Sequence, residues 1–190
     1  MLGGGAAAGP AGERREDADA LLDAAATVIV FGFLEDKSRR QPRKLVRDYL
    51  RSVERSGDGA VVLAIDGAGD VSCALTLALN VSGAVANVDP AGAPPAPEDQ
   101  PYLANLCTAA RARRGGLARE VVRRAVAVAG GAARPGGDGL YLHTDEGSAA
   151  HQLFLSEGFA EVGGGGGGSP LAGLFGRRPR LLLMRRPLAR

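Results

Sequence analysis

The stretch from residue 102 to residue 143 constrains the fold of this chain most. An apolar run over 102–108 leads into the basic, glycine-containing turn Arg113-Arg114-Gly115-Gly116, then a helical period over 117–129, then a second apolar run over 140–143. Leu117, Val121, Val122, Ala125, Val126 and Val128 place most of the helix's apolar surface on one side, which must cover a sheet. With short connections at both ends, such a helix crosses between two strands that run parallel. A βαβ unit of this kind predicts an α/β fold, one mixed sheet with helices on both faces.

The flanking segments fit around that unit. Ala20, Leu21, Ala24, Val28 and Phe31 recur at helical spacing, as do Leu45, Val46, Tyr49, Leu50 and Val53 after Pro42. Two β-branched runs, 60–65 and 71–79, are joined by Asp66-Gly67-Ala68-Gly69-Asp70 and read as an antiparallel hairpin. Residues 88–100 hold four prolines and no hydrophobic period, which predicts a stiffened, exposed loop. A short helix over 148–157 stops at Gly158, a strand resumes over 159–162, and a last strand is expected over 181–184. Residues 1–15 are expected to be a disordered low-complexity start. One domain is expected over 16–190, interrupted at 163–178 by a flexible connection that opens with six glycines.

Length and composition exclude several classes. A chain of 190 residues that is 45% apolar fits one core and one domain. Lys and Arg number 23 against 21 Asp and Glu, a net charge of +2 that names no polyanionic partner. Cys73 and Cys107 lack CxxC spacing, and only His143 and His151 offer imidazole, so no metal is expected. The arginines from 177 to 190 have no interleaved aromatics and read as a solvated edge, with no nucleic acid expected. No apolar run reaches the ~18 residues of a membrane span. A soluble intracellular protein with no membrane partner is expected, and no organelle address is evident in the first residues.

The chemistry concentrates in the turn after residue 108. At a helix start several backbone N–H groups lack intrahelical partners and favour an anion. Gly115, Gly116 and Ala118 let a phosphate approach the backbone, and Arg111, Arg113 and Arg114 add charge. The P-loop pattern GxxxxGK[ST] is missing its Lys and its Ser/Thr, and the dinucleotide-binding pattern GxGxxG is not met.

Arg113-x-x-Gly116-x-Ala118 resembles the Q/R-x-x-G-x-G/A motif of the GNAT N-acetyltransferase superfamily, and the likeness extends over 102–108 before it and through Ala150-x-x-Leu153-Phe154-x-x-x-Gly158-Phe159 after it. The resemblance implies a splayed sheet whose strand at Leu106, Cys107 and Thr108 pairs with the pantetheine arm of acetyl-CoA. It places the diphosphate on Arg113, Arg114, Gly115, Gly116, Leu117 and Ala118, and Gly147 nearby. It also implies acetyl transfer directly to an amine, on a protein N-terminus, a lysine or a small molecule. The loop over 163–178 resembles that of plastid-type members from plants and algae, which would place the chain in the plastid stroma; otherwise the cytoplasm is expected.

Two positions depart from the family. Gly147 stands where many members carry Asn, and Phe154 where many carry a Tyr that protonates the departing thiolate. Phe154 has no proton to give. Tyr141 and Tyr102 are the candidate substitutes, and His143, at the end of the second parallel strand, is the candidate base. A weak base suits an α-amine, partly neutral at physiological pH, better than a lysine. The alternative is an acetyl-CoA-binding regulatory module that keeps the fold without turnover.

Overall fold

A computed structural model describes residues 10–33, 42–79, 94–132, 137–162 and 180–188. The expectations for residues 1–9, for the first part of the proline-rich segment and for the six-glycine connection lie outside them, while residues 10–15, expected to be disordered, form the start of a helix.

Two helices come first. α1 (Pro10–Gly32) buries Leu22, Ala25, Ala26 and Ile29, and α2 (Arg43–Ser56) buries Val46, Leu50 and Val53, each set one stripe at helical spacing. The stripe of α1 stands one residue on from the expected Leu21, Ala24 and Val28, which leaves Ala20 and Phe31 exposed. α2 ends where Gly57 takes a left-handed conformation, φ +70°. The hairpin follows as β1 (Gly59–Ile65) and β2 (Val71–Ala78), paired antiparallel. All eight residues of β2 are buried, because helices cover it from both sides.

β3 (Tyr102–Thr108), a 3-10 turn (Ala110–Ala112), α3 (Leu117–Ala132) and β4 (Leu140–Asp145) form the βαβ unit, with β3 and β4 parallel. α4 (Ala149–Ser156) is capped by the Ser148 side chain, which accepts from the His151 N–H at 3.0 Å. β5 (Ala160–Glu161) and β6 (Leu181–Arg186) complete a six-stranded sheet in the order β1-β2-β3-β4-β6-β5. The last strand thus inserts between β4 and β5, antiparallel to both.

Each face has its own core. α3 and α4 cover Cys73, Leu75, Leu77, Leu103, Leu140, Leu142 and Met184. α1 and α2 cover Val71, Ala74 and Cys107 on the other face, where Ala96, Tyr102, Tyr141 and Leu183 form a smaller cluster. The expected single-domain mixed α/β sheet with helices on both faces is what the chain forms, and it is splayed between β3 and β4.

Candidate functional site

β3 and β4 pair at only two positions, Tyr102 with Tyr141 and Leu103 with Leu142, and then part. The cause lies in β3. Its pairing with β2 slips between Ala74 and Thr76, and Asn105 absorbs the extra residue with φ +56°, a conformation Asn tolerates better than most residues. The Asn105 amide donates to the Thr76 hydroxyl at 3.2 Å, and that hydroxyl donates to the Ala104 carbonyl at 3.0 Å. Beyond Leu103 the edge of β3 that faces β4 has no strand partner.

At the open end of this cleft stands the turn into α3. Arg114 and Gly116 both have positive φ, +68° and +82°, which turns the chain sharply before Leu117. The first bond back into the helix is Glu120 N–H to the Gly116 carbonyl at 3.1 Å, so the N–H groups just before it have no intrahelical acceptor. A Cβ at Gly116 would meet nothing within 4 Å, so the turn is open on the side where a side chain would stand. The Arg113 Nε donates to the Thr108 carbonyl at 3.2 Å, while Arg114 has no hydrogen bond or ion pair among the described residues. Arg111 differs from the expectation that it adds charge to the turn: its guanidinium pairs with Asp66 at 2.9 Å and Asp70 at 3.4 Å. An anion at the turn would meet Arg113, Arg114 and backbone N–H groups. This donor set and the open side of the turn fit a diphosphate.

The structure distributes the other candidate residues around the cleft. Leu106, Thr108, Leu117 and Ala118 are half-buried between the open edge of β3 and the start of α3. Cys107 points the other way, its Sγ 3.7 Å from the Ile29 carbonyl of α1, so only its backbone faces the cleft. Burial pushes its thiol up to about 12. Gly147, φ +74°, lies in the turn after β4, its N–H donating to His151 Nδ1 at 3.1 Å. Phe154 is buried in the core with its ring edge-on to Phe159, centroids 5.4 Å apart.

Of the two candidate catalytic side chains, only His143 borders the cleft, immediately after the last residue paired with β3. The Tyr141 hydroxyl donates to both oxygens of Asp138 at 2.9 Å, at the start of β4 and away from the opening. Burial raises its pKa first, and Asp138 raises it further.

The two ring nitrogens of His143 are both engaged. Nε2 lies 2.8 Å from the Pro94 carbonyl oxygen, which can only accept, so Nε2 carries the proton. Nδ1 is then the acceptor, and the Tyr102 hydroxyl, 2.8 Å away, donates to it. Burial lowers the His143 pKa from its usual value and raises that of Tyr102. At neutral pH the pair is an uncharged imidazole fed by a neutral phenol. Sequence reading placed His143 at the mouth but weighed Tyr102 only as an acid; the alternation of β3 and β4, which puts residues 102 and 143 on one face, was the available signal.

Among the described residues no group of three or more His, Cys, Asp or Glu is placed to hold a metal ion, and no helix is long and apolar enough to cross a membrane. By sequence, no family model and no curated protein matches the chain.

Solved structures do match. Ribosomal-protein-alanine N-acetyltransferase from Brucella melitensis is 20% identical with a TM-score of 0.61, covering 90% of this chain and 96% of its own. An acetyltransferase of the GNAT family from Staphylococcus aureus Mu50 is 15% identical, TM-score 0.58, covering 90% and 94%. The protein yncA from Salmonella typhimurium, solved with its cofactor acetyl-CoA, is 15% identical, TM-score 0.63, covering 90% and 91%. A splayed six-stranded sheet, an open turn before α3 and these likenesses agree: the chain has the fold of the GNAT acetyltransferases.

Proposed function

We propose that the chain is an acetyl-CoA-dependent N-acetyltransferase. The observation that carries this reading is the parting of β3 from β4 after Leu103 and Leu142, in a cleft that leads to the open N–H cradle at Gly116. Leu106, Cys107 and Thr108 would hold the pantetheine arm through their backbone, as an added strand. Arg113, Arg114 and the N–H groups of 115–118 would take the diphosphate. When bound, acetyl-CoA supplies an activated acyl group whose transfer forms a C–N bond and releases a thiolate.

The chain's own part in the chemistry is to manage a proton. An amine arrives largely as its ammonium form and must lose a proton before it can attack. That proton passes to the Tyr102 oxygen while the Tyr102 proton moves to His143 Nδ1; the imidazole becomes imidazolium, with its Nε2–H still held by Pro94. Because burial lowers the pKa of His143, this acceptor is weak and matches an α-amine better than a lysine. A protein N-terminal α-amine is the acceptor class we favour, and the Brucella melitensis neighbour, a ribosomal-protein-alanine N-acetyltransferase, supports that choice. Phe154 offers no proton to the thiolate, which leaves unassisted or takes one from solvent. The plastid-type likeness, and with it a stromal location, rests on residues 163–178, outside the described residues.

Purified protein incubated with acetyl-CoA, a thiol-trapping reagent and peptides bearing either an α-amine or a lysine tests the reading. Amine-dependent CoA release, faster on the α-amine, is expected. Binding of acetyl-CoA without amine-dependent release would establish the second reading, a binding module, which the hydroxyl-free Phe154 favours.

A further inference from the structure

The β1–β2 hairpin turn lies outside the cleft, yet it is tied to the segment that leads into the cradle. One Asp66 oxygen, Oδ1, accepts from the Ala68 and Asp70 N–H groups at 3.1 and 3.0 Å. The other, Oδ2, accepts from the Ser72 hydroxyl at 3.0 Å and from Arg111 Nη1 at 2.9 Å. Arg111 Nη1 also lies 3.4 Å from Ser72 Oγ, and Nη2 donates to Asp70 at 3.4 Å. A backbone bond runs beside them, Ala109 N–H to the Ser72 carbonyl at 2.9 Å. The hydrogen bond from the Asp70 N–H, foremost, holds the Asp66 carboxyl below the usual range, so it stays ionised at physiological pH.

This network acts on a short, constrained path. Arg111 sits in the 3-10 turn between β3 and α3, shortly before the two residues of positive φ that aim the cradle. A turn with two left-handed residues stays shaped only if its entry is fixed. Arg113 ties the turn back to β3, and Arg111 ties its entry to the hairpin on the other side.

We infer that Asp66 and Arg111 are positioning residues for the diphosphate cradle, the hairpin carboxylate acting through the guanidinium to fix the entry of the turn at Arg113–Gly116. The inference rests on the reading of that turn as the acetyl-CoA diphosphate site. It has a consequence opposite in sign to simple charge. Asp66→Asn removes a negative charge and frees Arg111, which by electrostatics alone would tighten the binding of an anionic ligand. Loss of the strut loosens it instead, since the freed Arg111 is exposed and screened by salt while the cradle must be reordered on binding.

The test measures CoA affinity by calorimetry, and KM and kcat for acetyl-CoA, for the full chain and for Asp66→Asn and Arg111→Lys. The expected result is a dissociation constant about three- to tenfold higher in both variants, matched by KM, with kcat falling less than KM rises. Arg111→Lys keeps the charge but loses the planar fork, so an anion-ligand role for Arg111 predicts little change where the strut predicts a loss. Equal or tighter CoA binding by Asp66→Asn, while the unaltered chain binds CoA, would overturn this inference alone. Absence of CoA binding by the unaltered chain would overturn the diphosphate reading and this inference with it. Thermal unfolding of each variant separates a loosened turn from a chain that fails to fold.

Discussion

The side chains around the cleft differ in what they give chemistry and what they give shape. Gly116 does both, since its φ of +82° aims the N–H groups and its missing side chain leaves the turn open where a Cβ would stand. Asn and Asp both tolerate that backbone and have nearly the same volume, so Gly116→Asn and Gly116→Asp separate charge from shape. Affinity for CoA, measured by titration, is expected to be at least about tenfold weaker in the Asp variant than in the Asn variant. For the proton acceptor, kcat/KM should fall with acidity through a group below the ordinary histidine value, because only neutral His143 accepts. Replacing His143 by Gln should remove that limb and cost about 10²-fold or more in rate, and Tyr102→Phe should do likewise by cutting the relay. Linkage has a matching sign in stability. With its folded pKa depressed, His143 favours the native state at pH above 6.5 and loses that contribution as pH falls toward the native value, a slope that acid titration of unfolding in His143→Gln would flatten. Sequence alone singles out His143, Tyr141 and Tyr102, but not the pairing of Tyr102 with His143 nor the Pro94 carbonyl and Asp138 carboxylate that hold His143 and Tyr141. Pairing across 41 residues of chain decides that His143 meets Tyr102 at the cleft while Tyr141 is tied to Asp138.

Elements with a strong local period were legible. The helices α2 and α3 and the runs of β1, β2 and β3 stand where periodicity puts them, since burial on one face fixes both the type and the register of such segments, but Leu45 and Val128, expected in the two stripes, are exposed at the stripe margins. Strand order was not legible, because the insertion of β6 between β4 and β5 depends on long-range pairing that no local pattern encodes. Neither was the bulge at Asn105, which arises from a slip against β2. One contact between elements makes a sharp prediction. At the end of α1, a Cβ on Gly32 would lie 2.6 Å from the Cys107 Sγ and 2.9 Å from its Cβ, so α1 is held against β3 at a distance only glycine allows. Gly32→Ala should destabilise the chain by about 1–3 kcal/mol in denaturant unfolding, and adding Cys107→Ala should recover part of that loss, since the sulfur contact goes but the Cβ contact stays.

At the scale of the molecule, the sheet is two halves joined by two residue pairs between β3 and β4. A ligand lying between the halves would tie them together, so binding and global stability should be linked. At a CoA concentration about 100-fold above its dissociation constant, the native state gains about 2.7 kcal/mol, which for a chain of this length raises Tm by about 5–10 °C. Amide exchange should slow in the same experiment along the open edge of β3, from Ala104 to Thr108, more than in β2, which is already paired on both sides. The strand order also bears on biosynthesis. β5 finds its hydrogen-bonding neighbour in β6, which the ribosome makes later, so the far half of the sheet stays unzipped until that strand emerges. A nascent chain stalled before residue 181 would expose the margin of β4 to whatever extended polypeptide is nearby, and chaperone capture should peak in that interval.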